Sequence, residues 1–549
     1  MDLFIIDAIG PFFRGYQRDV FNWSKIPFHH FEDKDGLRHK RFKKAYRDFK
    51  TFIDSVSEMG YNAISIDDLP HLVSFEFYPT HLEALIQQYR DHYRNVFDYA
   101  RSRGMKIFLN TDVLFHNVWI SRFARGRFSK SLKLLEIACE TVFRDFDVDG
   151  IIFRIGESDG VDVKGEFNSQ LMLKTPRQAN RMLRHLLPLF ERHNKYLIFR
   201  TWSVGIYPIG DLMWNEKTFD RVFADMDSGH LIISMKFGDT DFFDNLSLNP
   251  LFFRGTHKKI LELQARRERE GFGLLPYYVG WQYESYLREL IDREAIVGVS
   301  VWCQTGGWSG WKHRTFLKNS SPWNELNTFA IIQMARYARS AEEALTTWFQ
   351  DEAIVQFTRD ASRLVHYIFY ISPFAQQQLY FRRLRIPPLV WIFWDHVSLT
   401  PLMIALFEYH GKDKFKIPKR ELRDLLKRGR KLKIDNIEFI HDSLLALAFC
   451  RRSLWKRSIK LKHMEFIRQY AQTYDKPFKI SIHISAMNYS KVRTLFALFL
   501  RNRPQYRFID RVMLNPLVAI LFRVLYRMMS KNLPAFANKQ AMRVDMLFK

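Results

Sequence analysis

Apolar and polar positions alternate between two rhythms through residues 1–310. The runs LFIIDA, NAISID, KIFLNTD, GIIFRIGE, YLIFRTW, HLIISMKF, GLLPYYVG and IVGVSVWC are short and nearly continuous in apolar side chains. That pattern belongs to strands buried on both faces, as in a parallel sheet. Between them, stretches such as AYRDFKTFIDSVSEMG, HLEALIQQYRDHYRNVFDYARSRG and TPRQANRMLRHLLPLFERHN carry a helical period, and the first two end in Gly. Eight such units over roughly 340 residues are the arithmetic of a (β/α)8 TIM barrel. A doubly wound open sheet is the rival, but no Gly-rich phosphate fingerprint follows the first run.

From Ser340 the strand rhythm stops and the chain reads as helices. The expected fold class is therefore α/β: a barrel over 1–338, then an all-α, basic and aromatic-rich region over 339–549. In that second region LYFRRLRIPPLVWIFW, GKDKFKIPKRELRDLLKRGRKLK and CRRSLWKRSIKLKH read either as a surface for anionic lipid or glycan, or as solvated helical faces.

Composition narrows the partners. The formal charge is +25 and the pI about 9.8, which favours anionic partners: nucleic acid, acidic lipid or acidic glycan. No nucleic-acid module is recognisable, so nucleic acid is the least favoured. The three cysteines, Cys139, Cys303 and Cys450, lack metal-like spacing, and they fit a reducing compartment. The N-terminus shows no basic n-region, apolar core and cleavage site, and the apolar stretch VMLNPLVAILFRVLYRMM is interrupted by Pro516, Arg523 and Arg527. The expected location is cytoplasmic, with a peripheral contact to the inner face of the membrane through the C-terminal region.

In such a barrel the chemistry sits where strands end. Those ends carry Asp7, Asp67 and Asp68, Asn110 and Asp112, Glu157, Arg200 and Trp202, Lys236, Asp239 and Asp241, Gln282 and Glu284, then Trp302 and Gln304. Glycoside hydrolysis needs one protonated and one ionised carboxyl across the scissile bond. Glu157 can serve as the acid, and Asp241 can face it across the mouth. A separation of roughly 6.5–9.5 Å would leave room for water and give inversion. Arg200 and Lys236 are cations on the same rim, fit to grip a sugar carboxylate or to form structural ion pairs. No histidine cluster has metal-ligand spacing, so no metal or other cofactor is expected.

Several dispersed motifs, in order, resemble the catalytic barrel of the family-67 α-glucuronidases. FFRGYQRDVFNW is similar to that family's RGYAG segment through Arg14, Gly15 and Tyr16. DGIIFRIGESDG resembles the segment holding its catalytic acid, which a one-residue gap places on Glu157, with Ser158 or Asp159 contesting the assignment because the family's core motif is altered here; LIFRTW resembles its arginine strand through Arg200. ISMKFGDTDFF matches Lys236 and places the catalytic aspartate on Asp241, and GVSVWCQTGGWSGW matches through Trp308 and Gly310. In GWQYESYL the family's second candidate base falls on Glu284 only with a one-residue shift. The resemblance covers roughly residues 1–350, without the family's N-terminal domain.

The resemblance implies an inverting glycosidase acting on an acidic or uronic-acid-containing oligosaccharide or polysaccharide. Glu157, Asp241 and Glu284 would be catalytic. Arg14, Arg200, Lys236, Trp202, Trp302, Trp308 and Asp159 would contact substrate. The alternative is a barrel that binds glycan during envelope or exopolysaccharide assembly without hydrolysing it.

Overall fold

The computed structural model describes residues 1–16, 25–155, 165–169, 171–203, 207–239, 242–244, 246–266, 275–303, 321–369, 379–381, 384–386, 418–438, 440–442 and 444–445. Eight parallel strands close into a barrel: β1 Leu3–Asp7, β2 Ala63–Asp67, β3 Lys106–Asp112, β4 Gly150–Arg154, β5 Tyr196–Arg200, β6 Leu231–Lys236, β7 Lys258–Gln264 and β8 Ile296–Trp302. Each strand pairs with its neighbours in chain order, and β1 closes on β8 through Leu3 opposite Gly298.

Seven of the eight strands match the apolar runs of the sequence. The seventh does not. The segment GLLPYYVG leads instead into a helix, and β7 is KKILELQ. Its polar residues disguised it: buried Lys259 donates its ammonium to the carbonyls of Gly255 and His257, and Glu262 is buried against a cation.

The helices wrap the barrel in order. They are α1 His39–Met59, α2 Thr80–Ser102, α3 Val118–Ala124, α4 Phe128–Asp145, α5 Pro176–Arg192, α6 Glu216–Phe223, α7 Gly280–Leu290 and α8 Pro322–Tyr337. Between β6 and β7 the described residues hold a single 3-10 turn, Pro250–Phe253, in place of a helix. Then come α9 Ala341–Phe349, α10 Glu352–Phe369 and α11 Lys419–Lys431. Basic residues of α11 are paired, among them Arg428 with Asp360 at 2.7 Å and Arg430 with Glu438 at 2.6 Å. No helix among the described residues is long and apolar enough to cross a membrane.

Side chains alternate across each strand, so every second residue points into the barrel. At the N-terminal end the inward positions are apolar: Leu3, Ile5, Ala63, Phe108, Ile152, Ile198, Ile232 and Ile260 form their own cluster. One step further along the same faces stand Asp7, Ser65 and Asp67, Asn110 and Asp112, Arg154, Arg200, Ser234 and Lys236, Glu262 and Gln264, Ser300 and Trp302, all buried. The barrel is thus plugged with hydrocarbon at one end and lined with polar groups at the other. The larger core lies outside, between strands and helices.

Candidate active site

Two charge clusters occupy the polar end. On β5 to β8, Arg200 meets Glu262 through two parallel bonds, Nε to Oε1 and Nη2 to Oε2, each 2.9 Å. Ser234 Oγ donates to the same carboxylate at 2.7 Å. Burial pushes the Glu262 carboxyl up, but Arg200, Lys236 and Ser234 outweigh it, and the group stays below its ordinary range, ionised. The Arg200 guanidinium lies over the Trp302 ring at 4.3 Å. The Lys236 ammonium lies 4.5 Å from the rings of both Trp202 and Phe242.

On β2 to β4, Arg154 Nε stands 3.1 Å from Asp112 and its Nη2 stands 3.4 Å from Asp67. Lys25 bonds the other Asp112 oxygen, and the Ile26 amide donates to Asp67 at 2.8 Å. Burial raises the Asp67 pKa to about 6 against the pull of Arg154, and the neighbouring Asp68 charge adds to the rise. Beside it, His71 bonds Asp68 at 2.5 Å and stacks on Phe28 at 3.5 Å between centroids. Asp7, at the end of β1, accepts the Cys303 amide.

Among the described residues, buried polar groups on this rim without a hydrogen-bond partner include both ends of the Asn110 amide, the Trp202 indole N–H and the Trp302 indole N–H. Each unpaired buried group costs about 1–3 kcal/mol. Together they are polar places held ready by the fold, of both donor and acceptor type.

The sequence-derived candidates divide. Arg200, Lys236, Trp202 and Trp302 are brought together on β5, β6 and β8. Arg200 is held by Glu262, a structural ion pair rather than an open cation. Arg14 points outward, with its side chain 45% exposed and paired with Asp48 of α1. Glu284 lies on α7 and pairs with Arg288 one turn on, at 2.5 Å, while its neighbour Tyr283 turns inward to the Gln264 carbonyl. Glu157, Asp159, Asp241 and Trp308 lie outside the described residues, as do Ser158 and Gln304. Glu262 and Arg154 were not among the candidates. A lone carboxylate inside an alternating ILEL run is the signal that marks Glu262. Among the described residues no group of His, Cys, Asp and Glu is arranged to hold a metal ion.

No protein-family model matches the chain, and none of the curated proteins compared with it does. Similar solved structures include a GH138 enzyme targeting pectin rhamnogalacturonan II, 11% identical, with TM-score 0.47, covering 90% of this chain and 62% of that one. A family 89 glycoside hydrolase from Clostridium perfringens in complex with PUGNAc is 10% identical, with TM-score 0.41, covering 82% and 52%. CpGH84B is 12% identical, with TM-score 0.38, covering 87% and 74%. The chain therefore spans about three fifths of the first of these. The barrel itself is established by its own strand order.

Proposed function

We propose that the protein is a glycoside hydrolase acting on an acidic, uronic-acid-containing glycan by single displacement with inversion. The observation that carries this reading is the set of unpaired buried groups on the rim, those of Asn110, Trp202 and Trp302, together with the Lys236 ammonium over the Trp202 ring. A ligand rich in hydroxyls both donates and accepts, which is what an amide and two indole N–H groups need. A polar, buried rim above a hydrocarbon plug suits a small polar ring rather than an extended apolar ligand.

In this reading Lys236 supplies the charge opposite a sugar carboxylate, and Trp202 is its ring platform. The Arg200–Glu262 pair holds the Trp302 ring in place through the guanidinium on its face. Glu157 protonates the leaving oxygen and Asp241 activates water, the roles implied by the family-67 resemblance. Glu284, paired with Arg288, is left out of the chemistry.

The test is a screen of the purified protein on aryl glycosides and uronic-acid oligosaccharides, with products followed by NMR. Expected are release of an acidic sugar with inverted configuration and loss of turnover in Glu157→Gln with binding kept. Product of retained configuration would overturn the inverting mechanism. Binding without turnover in the wild-type protein would establish the non-hydrolysing, glycan-binding barrel instead.

A further inference from the structure

A concavity opens on the loops that leave β3 and β4, at the same end of the barrel as the charged rim. Its volume is about 560 Å³, the size of a sugar ring or two. One wall comes from the segment after β3. There Phe115–His116 pairs antiparallel with Asn168–Ser169, Phe115 packs into the aromatic core, and His116 faces the cavity. His116 Nε2 and Ser121 Oγ are 2.6 Å apart. Burial lowers the His116 pKa, so at neutral pH this pair is uncharged, with donor and acceptor capacity left over.

The charge around the cavity has one sign. Arg125 and Lys174 line it, and no carboxylate does among its described lining residues. The first turns of two long helices also contribute: Phe128 opens α4, and Gln178 sits in the capped start of α5. The positive ends of both helix dipoles therefore add to the two cations. Phe128 and Met172 supply apolar surface of the kind on which a ring's C–H face rests.

We propose that this cavity is a binding subsite for an anionic sugar unit, carrying a carboxylate or a sulfate ester, on the same glycan whose bond lies at the barrel mouth. The proposal rests on the glycan reading above. Arg125 and Lys174 take the anionic group, His116 and Ser121 take ring hydroxyls, and Phe128 takes the ring face. Preference for acidic over neutral chains is then set on β3–β4 loops as well as at Lys236.

The experiment is calorimetric titration of the full chain with an oligouronate, a sulfated oligosaccharide and a neutral oligosaccharide of equal length. The variants are the double substitution Arg125→Gln/Lys174→Gln, which removes charge at exposed positions, and Ser121→Phe, which fills the cavity. Thermal melts show that each is folded. Expected is at least a tenfold preference for an acidic chain in the wild type, lost in both variants. The carboxylated and sulfated ligands distinguish which anion the site takes. Unchanged preference in both variants, no preference in the wild type, or inorganic phosphate binding as tightly as the acidic oligosaccharide would each overturn the proposal. Turnover is read separately in the wild type, so a barrel that binds acidic chains through this cavity without cleaving them would sink the hydrolase and leave the subsite standing.

Discussion

Glu262 and Asp67 show how one buried rim holds two carboxylates in different states. Glu262 has a two-bond partner in Arg200 and stays ionised; Asp67 has the Ile26 amide and a longer, 3.4 Å contact with Arg154, and burial pushes it up to about 6. Removing one partner of a buried pair leaves the other uncompensated, so Glu262→Gln is expected to cost about 3–5 kcal/mol, read from the urea midpoint. A loss under about 1 kcal/mol would show that Arg200 finds another anion. The two carboxylates also act in opposite directions with pH. Glu262, lowered, stabilises the fold above its unfolded pKa, and that contribution is lost as pH falls through its folded value. Asp67, raised from 3.8 to about 6, contributes fully below its unfolded pKa and loses that contribution as pH rises through 6, a change of about 3 kcal/mol. Asp67→Asn should remove this falling slope between about pH 4 and about pH 7 in urea titrations. If the slope survives the substitution, another group carries it. The ends of β1, β2, β3, β5 and β6 were legible because apolar runs stop there in a charged residue. Glu262 was hidden by the opposite arrangement, a charge set within its strand and neutralised by a residue on another one.

At the scale of elements, the barrel wall is closed by backbones that approach too near for a side chain. A Cβ on Gly298 of β8 would stand 1.8 Å from the Leu3 carbonyl oxygen, and one on Gly150 of β4 would stand 2.1 Å from that of Tyr196. Neither obstacle is a side chain that can swing aside. Gly298→Ala is therefore expected to cost about 3 kcal/mol or more, at the upper end of overpacking, and to lower the soluble yield. Gly229→Ala is the control, since its Cβ would meet only the Lys258 ammonium at 3.6 Å. Equal urea midpoints for the two variants would mean that the β8–β1 seam yields easily. Strands and helices were readable from period alone wherever both faces of a strand are buried. Period failed for β7, whose Glu262 pairs with Arg200 far away in sequence and whose Lys259 turns back on the Gly255 and His257 carbonyls, and for GLLPYYVG, whose described residues ahead of α7 form an irregular segment. An apolar run specifies burial; whether it becomes a strand depends on neighbours that only the closed barrel provides.

At the scale of the molecule, that irregular segment joins the barrel to the helices that follow it. The Tyr278 amide donates to Ser362 Oγ of α10 at 2.9 Å, and the Tyr278 hydroxyl donates to the Ala341 carbonyl of α9 at 2.6 Å. Asn327 of α8 accepts the Val279 amide at 3.1 Å and donates to the Tyr277 carbonyl at 2.9 Å. His366 of α10 meets Asp244, beyond β6, at 2.7 Å, and Tyr277 bonds the same carboxylate. The sequence placed the change of character near Ser340 because strands stop there, yet the hydrogen bonds run across that point. A fragment 1–338 loses Ala341, Ser362 and His366 and leaves the buried Tyr278 amide and hydroxyl without partners, each costing about 1–3 kcal/mol. It should melt on the order of 5–10 °C below the full chain by circular dichroism. Ser362→Ala in the full chain should move the melt in the same direction by a smaller amount, because it removes one of these bonds. Equal melting of the fragment and the full chain would show that α9 and α10 only rest on the barrel, and that the rim is complete without them.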